Sequence, residues 1–187
     1  MRAAFTTPTA LVTPSFEHNV ETILSSCCEY NSSGDSALAP ERCPVLVIYV
    51  HPHSTSPTSA PHPSHYLEGS STPSVAPLPF AAPLGSEPIV TKNFNSGFVG
   101  TALESTLRSA GIRQLVLVGL TTDHCVSTTA RMADNLQVLG DGGPDGNAEG
   151  VHGIVLVRDA TATYEKGGFD AETVHGLSSA SLDHEFG

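Results

Sequence analysis

The stretch "QLVLVGLTTDHCVSTTAR" (Gln114–Arg131) decides the fold. Its first half is a continuous apolar, β-branched run, the pattern of a strand buried on both faces. Its second half takes helical spacing from about Cys125 to Leu136. Cys125 therefore sits where a strand gives way to a helix. There the free backbone N–H groups and the helix dipole favour a negatively charged sulfur. The same N–H groups are able to hold an oxyanion formed by attack on a carbonyl. On these residues alone two readings stay open, a nucleophile or a small buried thiol.

Outward from this stretch, the same alternation repeats. "PSFEHNVETILSSCCEY" places Phe16, Val20, Ile23, Leu24, Cys27 and Cys28 on one helical face, with Ser15 as N-cap and Glu17 in the first turn. Cys27 and Cys28 read as small buried apolar side chains. "VLVIYV" (Val45–Val50) and "PIVTK" (Pro88–Lys92) read as strands, and "GIVLV" (Gly153–Val157) as another. "TALESTLRSAG" reads as a helix with a Thr101/Glu104 capping box and Gly111 as its stop. "FDAETVHGLSSASLDHEF" closes the chain as a helix capped by Asp170, with Val174, Leu177 and Leu182 expected to face inward. Strands that alternate with helices and carry unbroken apolar runs indicate an α/β, three-layer, Rossmann-like parallel sheet with flanking helices.

The length of 187 residues suits one domain, residues 1–187. Within it, residues 14–50 hold the first helix and strand, 51–88 a Pro-, Ser- and His-rich loop, and 89–187 the remaining core. A loop this long is expected to act as a lid or to be partly disordered. The net charge of −11, with no basic run, argues against nucleic acid and anionic membrane surfaces as partners. No run of 18 apolar residues suggests a transmembrane helix, and "MRAAFTTPTALVTP" does not read as a signal peptide. Cys27, Cys28, Cys43 and Cys125 lack a disulfide-framework spacing, so reduced thiols and a cytoplasmic location are expected.

In a parallel sheet, chemistry gathers at the carboxyl ends of strands. Three ends stand out: His51 and His53 in "VIYVHPHS", Lys92 in "VTKNFNSGF" and Cys125 in "VGLTTDHC". The chain has only two lysines, Lys92 and Lys166, which gives the position of each some weight. An ammonium beside Cys125 would favour the thiolate. His51, His53, His62 and His65 are read as a solvated loop rather than a metal site, although His53 is a candidate for the pocket mouth. No metal or other cofactor is expected. Asp123 is read as a helix cap, and Asp159 as a structural turn or cap. Phe94, Phe98 and Tyr164 are candidate pocket walls that packing explains equally well.

The segment "VTKNFNSGFVGTALESTLRSAGIRQLVLVGLTTDHCVSTTARMA" (90–133) resembles the isochorismatase-like cysteine hydrolase superfamily, as does "VLVRDATATYEKGGFDAETVHGLSSASLDHEF". The likeness is loose over 14–50 and close over 88–187. It implies an Asp–Lys–Cys triad, with Lys92 as the lysine and Cys125 as the nucleophile. It also implies a cis Leu120–Thr121 peptide and an oxyanion hole made by the backbone N–H groups of Thr121 and Cys125. The expected substrate is a small molecule. The retained cysteine favours amide-type C–N hydrolysis over cleavage of the isochorismate enol ether, and relatives commonly assemble as dimers or larger homo-oligomers.

The resemblance departs at the front. Family members open on a central strand ending in the Asp base, and "MRAAFTTPTALVT" carries no acidic residue. The central first strand is expected to be missing, or reduced to a stub at Thr9–Val12. The gap is expected between the strands that end in His51 and Lys92, with each unpaired buried backbone group costing roughly 1–3 kcal/mol. We expect a truncated or N-terminally shortened enzyme, with a catalytically degenerate homologue kept for binding or assembly as the alternative.

Overall fold

The structure, a computed structural model, describes residues 15–33, 44–59, 61–66, 71–85, 87–140 and 153–186, with side chains up to residue 183. Thr9–Val12 and Cys43 lie outside the described residues. The order is α1 (Phe16–Ser32), β1 (Tyr49–Pro52), β2 (Ile89–Lys92), α2 (Leu103–Ser109), β3 (Gln114–Leu120), α3 (Ser127–Asn135), β4 (Gly153–Ala162) and α4 (Ala171–Phe186). A 3-10 turn at Pro79–Ala81 interrupts the long loop, and a π-helical turn at Thr122–Val126 leads into α3. The expected α/β fold, with parallel strands and flanking helices, is present. Among the described residues no helix is long and apolar enough to cross a membrane.

The strands form two parallel pairs, β1 with β2 and β3 with β4, and among the described residues no ladder joins the pairs. This corrects the expected position of the gap. The strands ending in His51 and Lys92 pair directly, from Tyr49 opposite Ile89 to Pro52 opposite Lys92. Among the described residues it is the two pairs that are not joined to each other.

β1 starts later than the apolar run suggests because its ladder begins where the Tyr49 amide donates to the Pro88 carbonyl at 3.0 Å. Pro88 has no N–H to return, so pairing does not extend upstream. Val45 is held instead by Asn31 of α1, whose side-chain amide both accepts from and donates to the Val45 backbone at 2.9 Å.

The β3–β4 register shifts after Leu117, from Leu117 opposite Leu156 to Gly119 opposite Thr161. Gly119 has φ 116°, a conformation that L side chains rarely adopt, so the shift occurs at a residue free to make it.

Two apolar clusters flank the strands. Phe98, Leu103, Leu107, Ala133 and Val138 form one, packed against Ile48, Val50, Val90 and Leu115. Phe16, Val20, Ala160 and Ala162 form the other. The long loop joins the second cluster: Phe80, from its 3-10 turn, meets Phe16 edge-to-face at 5.8 Å. This stretch of the expected lid is thus anchored to α1.

Several local expectations change. Cys28 is exposed rather than part of the buried face, while burial, then the charge of Glu87, pushes the Cys27 thiol up. The Thr101/Glu104 capping box does not form. Thr101 Oγ1 accepts from the Leu103 amide at 3.2 Å and donates to the Gly97 carbonyl. Glu104 pairs one turn ahead with Arg108 at 2.9 Å, and Arg108 also donates to the Leu136 and Gln137 carbonyls at the end of α3. Asp170 caps α4 as expected, accepting from the Thr173 amide at 2.7 Å. Leu177 is 69% exposed, because the buried face of α4 runs through His175, Ser179 and Leu182.

Replacing Phe16 with Ala should therefore lower stability by about 3–5 kcal/mol in urea unfolding. Leu177→Ala should change it by no more than about 0.5 kcal/mol.

Candidate active site

Lys92 ends β2. Strand alternation places it on the same face as Val90, away from exposed Ile89 and Thr91, and leaves it only 4% exposed. A buried ammonium must find acceptors. Its Nζ donates to the Phe94 carbonyl at 2.8 Å, to the Asn95 carbonyl at 2.8 Å and to Cys125 Sγ at 3.1 Å. Those three contacts match the three N–H donors of an ammonium. Among the described residues no carboxylate joins the pair.

Cys125, half-buried, lies within the π-helical turn Thr122–Val126 rather than in the first turn of α3. The peptide before this turn, Leu120–Thr121, is cis. The Thr121 carbonyl accepts from the amides of His124 at 3.1 Å and Val126 at 3.2 Å. Thr121 itself is extended, with φ −106° and ψ 146°, and so stands outside the turn.

Three contacts in this turn were not legible as such in the sequence. Buried Thr122 Oγ1 meets buried His175 Nδ1 of α4 at 2.8 Å. Asp123 is not a helix cap: its carboxylate accepts from Thr163 Oγ1 at 2.5 Å and pairs with Lys166 Nζ. Burial alone would raise the Asp123 carboxyl. Hydrogen bonds from Lys166 and Thr163, with the Lys166 charge, hold it below the usual carboxylate range. The scarcity of lysine was the one available signal for Lys166.

The other candidates divide. The His53 amide donates to the Lys92 carbonyl at 2.8 Å, so His53 extends the same pair of strand ends. Phe94 is 61% exposed and serves Lys92 through its carbonyl. Phe98 is buried in the cluster with Leu103, Leu107 and Ala133, so core packing accounts for it. Tyr164 is half-buried, and burial raises its phenol above the ordinary value. His62 bonds Ser64 at 2.7 Å and its ring lies 5.7 Å from that of His65. Among the described residues no three His, Cys, Asp or Glu side chains gather as a metal site. Asp159 lies within β4, where its carbonyl accepts from the Asn19 side chain at 2.9 Å.

Comparison with known proteins matches residues 41–176 to the Isochorismatase domain. An uncharacterized isochorismatase family protein, YrdC of Bacillus subtilis (strain 168), is 39% identical over 140 residues, covering 75% of this chain and 66% of that protein. The ureidoacrylate amidohydrolase RutB of Variovorax paradoxus (strain S110) is 44% identical over 80 residues, covering 43% of this chain and 25% of its own length. The streptothricin hydrolase of Streptomyces noursei is 34% identical over 79 residues, covering 42% of this chain and 24% of that protein. The chain thus spans just under two thirds of the first of these relatives and about a quarter of the other two. Among solved structures, an isochorismatase-family protein from Chromobacterium violaceum ATCC 12472 superposes with TM-score 0.70 at 26% identity, over 96% of this chain and 78% of that one.

Burial, then the Arg158 charge, pushes the His175 imidazole down, partly offset by a hydrogen bond with the Arg158 backbone. The unfolded chain therefore binds a proton that folded His175 resists, and stability falls as pH drops below the ordinary histidine value of about 6.5. Urea midpoints compared on either side of that value should show this loss. His175→Gln should reduce it without removing it, because burial, then the charge of His53, also lowers His51.

Proposed function

The chain belongs to the isochorismatase family, and on that premise we propose that it hydrolyses an amide-type C–N bond of a small molecule through Cys125. The observation that carries this reading is the 3.1 Å contact between Lys92 Nζ and Cys125 Sγ. A buried ammonium needs a counter-charge, and among the described residues the sulfur is the group on it able to become negative. The contact therefore favours the nucleophilic thiolate. The amidohydrolase relative supports C–N cleavage as the reaction class.

In this mechanism Sγ attacks the carbonyl carbon. The C–S bond forms as the C=O pair moves onto oxygen, where the backbone N–H groups of Thr121 and Cys125 are the proposed donors. Collapse breaks the C–N bond, and the thiol's proton leaves with the nitrogen. Water then attacks the thioester, its hydroxyl goes to the acyl group, and its proton returns to the sulfur. His53, Phe94 and Tyr164 are the proposed side chains at the pocket. A soluble small molecule is the proposed partner, the cytoplasm the proposed location, and a homo-oligomer the proposed assembly.

The lack of a carboxylate at the sulfur among the described residues favours a second reading, a catalytically degenerate homologue. The two separate on a panel of ureidoacrylate, simple ureides and carboxamides, followed by release of ammonia or amine. Turnover abolished by Cys125→Ala and lowered at least about 100-fold by Lys92→Met is expected. No turnover of any member would favour the degenerate reading. Activity that survives Cys125→Ala would favour C–N cleavage without a covalent sulfur step, by direct attack of water on the carbonyl.

A further inference from the structure

We infer that Asp123 and Lys166 form a positioning pair that holds the Cys125 turn in its reactive geometry. The inference rests on the nucleophile reading above. Both lysines of the chain converge on one short turn: Lys92 meets Cys125 Sγ, and Lys166 meets Asp123, two residues earlier.

Lys166 is presented by a closed turn. It exchanges two backbone hydrogen bonds with Phe169, each 3.0 Å. Between them Gly167 and Gly168 have φ 60° and 85°, the pair of positive angles that a tight two-residue hairpin requires. The closed turn sets the direction in which the Lys166 side chain leaves the backbone. Thr163, fully buried just beyond β4, supplies the second anchor through its hydroxyl.

The Asp123 side chain is 14% exposed and that of Lys166 37%, so the pair is partly desolvated and its attraction is less screened than a surface pair's. Asp123 spends both carboxylate oxygens on these anchors, one on Thr163 and one on Lys166. It is thus a tether between the turn and the hairpin, not a base for the thiol.

The next contact strengthens the tether. Thr122, adjacent to Asp123, bonds His175 of α4. Two successive residues are therefore pinned to two different elements, and Cys125 follows two residues later. Loss of the Lys166 anchor frees one end of the turn while leaving Lys92 and both apolar clusters in place. The consequence falls on the direction of Sγ relative to Lys92, and hence on its reactivity, more than on folding.

The test is competitive alkylation of the intact chain by iodoacetamide near neutral pH, with Cys125 and exposed Cys28 quantified separately by peptide mass. Wild-type Cys125 should react faster than Cys28. Lys166→Met and Asp123→Asn should each slow Cys125 by about tenfold, as expected for a displaced reacting group, with Cys28 unchanged. Lys166→Arg should restore most of the rate. Urea midpoints taken in parallel should show each variant folded. Fast wild-type Cys125 that neither substitution slows would overturn this inference alone. Wild-type Cys125 no faster than Cys28 would overturn the nucleophile reading and this inference with it.

Discussion

The site depends on how a buried ammonium is satisfied. Lys92 is almost wholly enclosed, and its three donors go to two carbonyls and one sulfur. Carbonyl oxygens solvate the charge but do not neutralise it. The sulfur can do both, and this couples the cost of burying Lys92 to the chemistry of Cys125. The Phe94 and Asn95 carbonyls are presented by the turn just after β2, so the strand end creates both the charge and its cradle.

The rest of the fold brings these groups to one place. The direct β1–β2 pairing fixes where β2 ends and aligns His53 beside Lys92. The register shift at Gly119 sets the end of β3, from which the Cys125 turn departs. Gly97 links the two sides. Its amide donates to Thr129 of α3 at 3.0 Å, and a Cβ at this position would sit 3.0 Å from Leu103 Cδ2. The segment after Lys92 is thus bonded to the helix after Cys125, and a side chain at Gly97 would press on Leu103 of α2.

Much of this was legible in sequence. Continuous apolar runs located β3 and β4, and helical spacing located α1 and α4, because these patterns follow from backbone periodicity alone. The family likeness pointed to Lys92, Cys125 and the cis Leu120–Thr121 peptide. What escaped depended on partners distant in the chain. Asp123 looked like a cap, yet Thr163 and Lys166 lie 40 and 43 residues away. Sequence left Phe98 open between a pocket wall and core packing, and contacts with α2 and α3 place it in the core. Leu177 seemed to continue an apolar face, whereas packing against the Cys125 turn rotates His175 inward instead. The gap expected between the strands that end in His51 and Lys92 is closed by their direct pairing, since strand order is a property of pairing, not of local pattern.

The central claim is that contact with Lys92 makes Cys125 the acyl-accepting group of the molecule. The most direct measurement is brief exposure of the intact chain to an activated small ester, acid quenching, and peptide mass mapping of the cysteines. The expected result is an acyl mass on the Cys125 peptide, little or none on the peptide bearing Cys27 and Cys28, and loss of the Cys125 adduct in Lys92→Met. Acylation of Cys28 with Cys125 left free, or a Cys125 adduct indifferent to Lys92→Met, would contradict it.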